Sequence, residues 1–169
     1  MKKISLLLLA ILFCFSISTA GTKPKKAISD GLYLIKKEGT DTKRFDSVTK
    51  SDVVVRFDKM FVENKEHGHV RLLIDTSDYV PLELEKPAVT EQQTEAKKKL
   101  LLSLTKQASE KLKTFTAKHV MRHVAIVVDG KALTMHKIKV AITSGQLQIT
   151  RCNDNACERL FVKLKDNVR

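Results

Sequence analysis

The 169-residue chain has no tryptophan, two tyrosines, three prolines, six glycines and three cysteines. So few aromatics offer little stacking surface for single-stranded nucleic acid. Scarce glycine and proline exclude a collagen-like or low-complexity chain. Three cysteines cannot build a dense disulfide scaffold. Acid is short as well: 19 Asp and Glu face 31 Lys and Arg, a formal charge of +12. Beyond residue 20 no apolar run is long enough to cross a bilayer. What remains, 43% hydrophobic residues in one domain's length, is enough for a single packed core.

Residues 1–20 have the layout of a secretory signal. Lys2 and Lys3 precede an almost wholly apolar stretch from Ile4 to Phe15, and Ser18 and Ala20 are small residues placed for cleavage before Gly21. An exported, periplasmic protein is expected, with retention at the inner membrane as the alternative if the leader stays. Removing the leader takes away two lysines and no acid, which lowers the charge to about +10. It also removes Cys14 and leaves Cys152 and Cys157 as an even pair in an oxidising space, for which a structural disulfide is expected. Four residues separate them, whereas a redox pair has two.

The polar, basic stretch 21–30 reads as a lead-in linker, 31–165 as one domain and 166–169 as a frayed tail. Strands are expected over Gly31–Lys36, Val53–Glu63, Val70–Asp75 and, shorter, Val80–Glu85, the second and third forming a hairpin around a turn at Lys65–Gly68. No Gly or Pro occurs from Ala88 to Asp129, and Leu100, Leu104, Ala108 and Leu112 recur every four residues. That spacing predicts one long helix from about Thr90 to Lys118. Asp129-Gly130 signals a two-residue hairpin loop between Val124–Val128 and Lys131–Val140. Gly145 ends a further turn, and Gln146–Thr150 is the last strand. A short helix capped by Asn153 or Asp154 follows, with Ala156, Leu160 and Leu164 on one face. The order predicts an α+β fold, a largely antiparallel sheet with one long and one short helix on one face. Ile126 and Ile149 are expected to share that sheet.

The ordered set Phe115–Lys118, Val124 to Asp129-Gly130-Lys131, Ile142-Thr143-Ser144-Gly145-Gln146-Leu147-Gln148-Ile149-Thr150 and Ala156 to Leu164 resembles the head of the first periplasmic domain of SecD, an accessory subunit of the bacterial protein-export translocase. The similarity covers residues 115–165. Thr134-Met135-His136 replaces the family's small-residue-and-proline stretch, and the cysteine pair lies outside its pattern. The resemblance implies a free-standing head-like domain that contacts exported polypeptide.

His119 and His123 have the spacing of a shared-metal pair, but the predicted helix ends between them and no Glu follows His119. They are the only metal candidates, and no cofactor is expected. No nucleophile, base and oxyanion set can be assembled, so no enzyme is expected. Lys97, Lys98, Lys99, Lys106 and Lys113 would form a basic helical face. Lysine rather than arginine predominates, which argues against specific nucleic-acid contacts. The expected partner is polypeptide or another envelope protein, an extended segment being received by strand addition at the sheet edge or in the groove between the sheet and the long helix. The alternatives are a basic module for an envelope polyanion or nucleic acid, an inhibitor or immunity-type protein, and a zinc hydrolase. The sequence leaves the oligomeric state open.

Overall fold

The computed structural model describes residues 28–40, 45, 49–58, 69–94, 97–152 and 154–169. The leader, most of the lead-in and the turn at Lys65–Gly68 lie outside them. The element order is β1 (Gly31–Gly39), β2 (Asp52–Phe57), β3 (Arg71–Pro81), β4 (Val89–Thr94), β5 (Lys97–Ser103), α1 (Lys106–Lys118), β6 (His123–Val128), β7 (Lys131–Lys137), β8 (Gln146–Cys152) and α2 (Asp154–Lys163), closed by a 3₁₀ turn at Leu164–Asn167. The fold is α+β and mostly antiparallel.

Two sheets form. Strands β1, β3, β2, β7 and β6 close into a five-stranded barrel, and β4, β5 and β8 make a separate three-stranded sheet. Ile126 of β6 and Ile149 of β8 therefore lie in different sheets, contrary to the expectation of one. They nonetheless share one hydrophobic cluster, because the small sheet and the helices pack on the outside of the barrel.

Strands β1 and β6 show why. Both are nearly continuous apolar runs, as a strand covered on both faces requires. Tyr33, Ile35, Ala125 and Val127 fill the barrel with Val55, Leu72, Ile74 and Ala132. Their neighbours Leu32, Leu34, Val124, Ile126 and Val128 face the outer core, against Leu100, Leu102, Leu112, Phe115, Ile149 and Leu160. The β2–β3 hairpin pairs in the predicted order, with Val53 opposite Ile74. Val80 continues β3 instead of starting a new strand.

The long helix is not formed. Residues 89–94 and 97–103 are an antiparallel strand pair, with Thr90 opposite Leu100 and Glu91 opposite Lys99. A four-residue apolar repeat is also a multiple of the strand period, so Leu100 and Leu104 fit either structure. Leu102, also fully buried, fits the strand. Cross-strand pairing of Glu91 with Lys99 at 2.7 Å adds to it. The helix starts only at Lys106, where the Thr105 hydroxyl accepts a hydrogen bond from the Ala108 amide at 3.3 Å.

Asp129 (φ 50°) and Gly130 (φ 68°) are both left-handed and join β6 to β7. The Asp129 amide donates to the Asp30 carboxylate at 2.9 Å, and Asn167 donates to its other oxygen at 3.1 Å. The tail is correspondingly held, not frayed: Leu84 donates to the Asn167 carbonyl at 2.7 Å, and Arg169 to the Leu84 carbonyl at 2.9 Å. Ile28, expected in the linker, packs against the barrel core.

One ionic node, buried only at its Asp52 end, links three barrel strands. Lys36 of β1 reaches Asp52 of β2 at 2.6 Å and Asp75 of β3 at 3.1 Å, and the Asp52 side chain is only 1% exposed. Burial alone would raise both carboxyls. For Asp52 the Lys36 and Thr49 hydrogen bonds outweigh it, and for Asp75 those of Ser77 and Lys36 do, so both stay below their ordinary range.

Candidate functional site

A closed barrel leaves few strand edges, so open edges fall mainly to the small sheet. Its outer strands are β4 and β8. The β4 edge carries exposed Thr90, Glu91, Gln92 and Thr94, a polar row with a charge that discourages pairing. The β8 edge is different. Leu104 donates to the Gly145 carbonyl at 3.0 Å. The antiparallel alternation then makes Leu102 and Leu147 a hydrogen-bonded pair and turns the peptide groups of Gln146 and Gln148 away from β5.

Beside this edge runs a groove of about 460 Å³. Its floor is the outer barrel face at Leu32, Val124 and Ile126. One wall is Gln146–Gln148 of β8, and the other is formed by His136, Lys137 and residues 138–142. Thr116 of α1 closes the side. Its hydroxyl, fully buried, donates to the Leu112 carbonyl at 2.7 Å and accepts from the Ile142 amide at 2.9 Å, which pins the 138–142 segment to the helix. Gly145 sets the start of β8: at φ 66° it lies so close to α1 that an added Cβ would fall 2.4 Å from the Ser109 hydroxyl. The lining is mainly apolar, with His136, Lys137 and Lys139 along one wall.

Residues 82–167, more than half of the chain, match the family described as SecDF, P1 head subdomain. The chain belongs to that family. Its match takes in β4 to β8 and both helices, while the first three barrel strands precede it. Similar solved structures include three of SecDF. One is SecDF in a super-membrane-facing form, at 20% identity and a TM-score of 0.48, covering 79% of this chain and 18% of that one. A second is described as a membrane component SecDF that enhances protein export, at 20% identity and 0.48, covering 80% and 62%. A third is the translocon-associated SecDF of Thermus thermophilus, at 21% identity and 0.44, covering 82% and 20%. The chain thus spans less than two thirds of each of these relatives and about a fifth of two of them. No curated protein matches.

The residues singled out in the sequence do not converge in this head domain. Asp129, Gly130 and Lys131 form the β6–β7 turn, where Lys163 bonds Asp129 and Lys131 lies 3.7 Å from Asp58. Cys152 ends β8 and Cys157 lies within α2, but their side chains fall outside the described residues, as does Asn153. Lys97, Lys98 and Lys99 belong to β5, so the basic helical face is split; only Lys106 and Lys113 lie on α1, both exposed. His119 ends α1, its ring tilted against Phe115 and 3.4 Å from Asp78, whereas His123 is exposed at the start of β6. No metal-holding group of three or more His, Cys, Asp or Glu occurs among the described residues. Asp78 is held below the ordinary carboxylate range, chiefly by its 2.8 Å hydrogen bond from Lys118. No helix among the described residues is long and apolar enough to cross a membrane.

Sequence reasoning expected a sheet edge or a groove between the sheet and the long helix to receive a chain, but it did not single out Thr116 and Val140, which carry no motif. A further signal was the polar-apolar alternation of Gln146-Leu147-Gln148-Ile149, which marks a strand covered on a single face.

Proposed function

We propose that this exported, periplasmic SecDF-type head domain is a non-catalytic protein-export component that holds polypeptide in extended form. The observation that carries this is the outward peptide row of β8 beside the apolar groove. A segment laid along β8 would gain main-chain hydrogen bonds from the Gln148 amide and the Gln146 and Gln148 carbonyls, the Gln146 amide already donating to the Ser144 hydroxyl at 3.4 Å, and would place alternate side chains in the groove, the mode known as strand addition. Main-chain bonding is indifferent to sequence and an apolar trough accepts many side chains, which suits a client defined by being unfolded. Family membership and the export role described for one SecDF relative support the same reading.

The test is Gln148→Pro. Its amide points away from β5, so the substitution spares the ladder but removes an outer donor and blocks the edge. Binding of a labelled, carboxymethylated and permanently unfolded polypeptide should weaken about tenfold by fluorescence anisotropy, equivalent to roughly 1.4 kcal/mol. Far-UV circular dichroism should show the fold intact. Undiminished binding by a folded Gln148→Pro chain would rule out the β8 edge.

A further inference from the structure

The α1–β6 turn and the segment after β7 meet at one corner. Met121 donates to the Ile138 carbonyl at 2.7 Å, and Ile138 donates to the Arg122 carbonyl at 2.9 Å, which extends the β6–β7 ladder past its end. Three of the five large hydrophobic side chains exposed among the described residues lie here: Val120 at 41%, Met121 at 59% and Val140 at 71%.

Met121 is costly where it sits. Its φ of 67° is left-handed, a region glycine enters freely and asparagine tolerates, and its side chain gains little burial in return. Fold stability alone would favour glycine. An exposed apolar side chain kept on a strained turn indicates contact with something outside the fold.

The charge around it is of one sign. Between Lys111 and Asn153 the only acid is Asp129, against seven Lys and Arg. Arg122, Lys137 and Lys139 are exposed and form no ion pair among the described residues. The acid that reaches this end of α1 is Asp78, already engaged by Lys118 and His119. Apolar tips on adjoining turns, ringed by cations, match the layered chemistry of an anionic lipid surface: phosphates outside, acyl chains beneath.

We propose that this corner docks on an anionic bilayer, with Val120, Met121 and Val140 entering the headgroup layer and Arg122, Lys137 and Lys139 meeting lipid phosphates. The contact shares Lys137, Lys139 and Val140 with one wall of the groove but needs neither the β8 edge nor a polypeptide.

The absence of tryptophan supplies a clean reporter. In the full chain, Val120→Trp places a single indole at the corner, and Val162→Trp places one on α2, where the native valine is 60% exposed. With phosphatidylglycerol vesicles at low salt, the emission of Val120→Trp should shift to the blue and that of Val162→Trp should stay. Neutral phosphatidylcholine vesicles should shift neither. Adding Met121→Gly should keep or raise the melting temperature while weakening partition about tenfold. Lys137→Ser and Lys139→Ser should each weaken it about fivefold, and salt should reduce it generally. No shift at Val120→Trp would overturn the proposal, as would equal shifts at both positions, which the apolar leader alone could produce. A shift induced by an acidic polypeptide but not by vesicles would equally overturn it and make the corner a protein contact.

Discussion

Gly130 and Gly145 provide an internal comparison of backbone strain with steric exclusion. Their φ angles are 68° and 66°, but a Cβ on Gly130 would meet nothing within 4 Å. On Gly145 it would meet the Ser109 Oγ at 2.4 Å and Cβ at 3.0 Å. Alanine in the left-handed region costs about 1–2 kcal/mol, partly offset by about 0.4–1 kcal/mol from a stiffer unfolded chain. Gly130→Ala should therefore destabilise by about 1 kcal/mol. Gly145→Ala bears the same backbone cost plus overpacking of about 1–3 kcal/mol, for a total near 3 kcal/mol. In a fold of this size the melting points should fall by about 3 °C and 10 °C respectively. Ser109→Ala removes the closer clashing atom, so in the double variant Gly145→Ala should cost about 1–2 kcal/mol less than it does alone. Urea titrations followed by far-UV circular dichroism give all four values. If Gly145→Ala and Gly130→Ala cost the same within about 0.5 kcal/mol, or if the Ser109 cycle is additive, α1 does not constrain the start of β8 as argued.

Two further substitutions test the barrel. The Thr134 hydroxyl is buried without a hydrogen-bond partner among the described residues, so Thr134→Val should stabilise the protein by about 1 kcal/mol, read as a rise of about 3 °C in melting temperature. Asp52 and Asp75 have depressed pKa values, so their contribution is present above the ordinary aspartate value of 3.8 and is lost as pH falls through their lower folded values. Lys36 is raised, chiefly by its Asp52 hydrogen bond, and its contribution is lost only as pH climbs beyond its ordinary 10.5. Replacing it by Lys36→Met should lower the urea midpoint at pH 7. The two carboxylates, left facing each other, should then gain by protonation, so the variant becomes more stable from pH 7 to pH 5 while the parent changes little.

The parts of the fold legible in sequence are those fixed by local chemistry. Asp129-Gly130 specifies its turn through two positive φ angles, and the β6–β7 hairpin follows whatever lies around it. The β4–β5 pair was hidden for the opposite reason. It turns without Gly or Pro, and its leucines satisfy a helical period and a strand period together. Partition into two sheets was readable only in part. The run Val124-Ala125-Ile126-Val127-Val128 has no polar face, as a strand between barrel interior and outer core demands, whereas Gln146-Leu147-Gln148-Ile149 has one. That contrast already separates a strand buried on both sides from one open to solvent. Which strands pair with which is a long-range choice that neither run encodes. The groove is less legible still, because residues 116, 124–126, 138–142 and 146–148 become neighbours only after both sheets have formed. Its position nevertheless follows from the topology. Closing β1, β3, β2, β7 and β6 consumes most of the unpaired peptide groups the barrel strands would otherwise present, and charge on β4 guards one edge of the small sheet. The remaining edge, β8, is held against α1 by a glycine that admits no side chain, next to apolar barrel wall. A surface built to receive an extended chain therefore arises where the fold stops pairing its own strands.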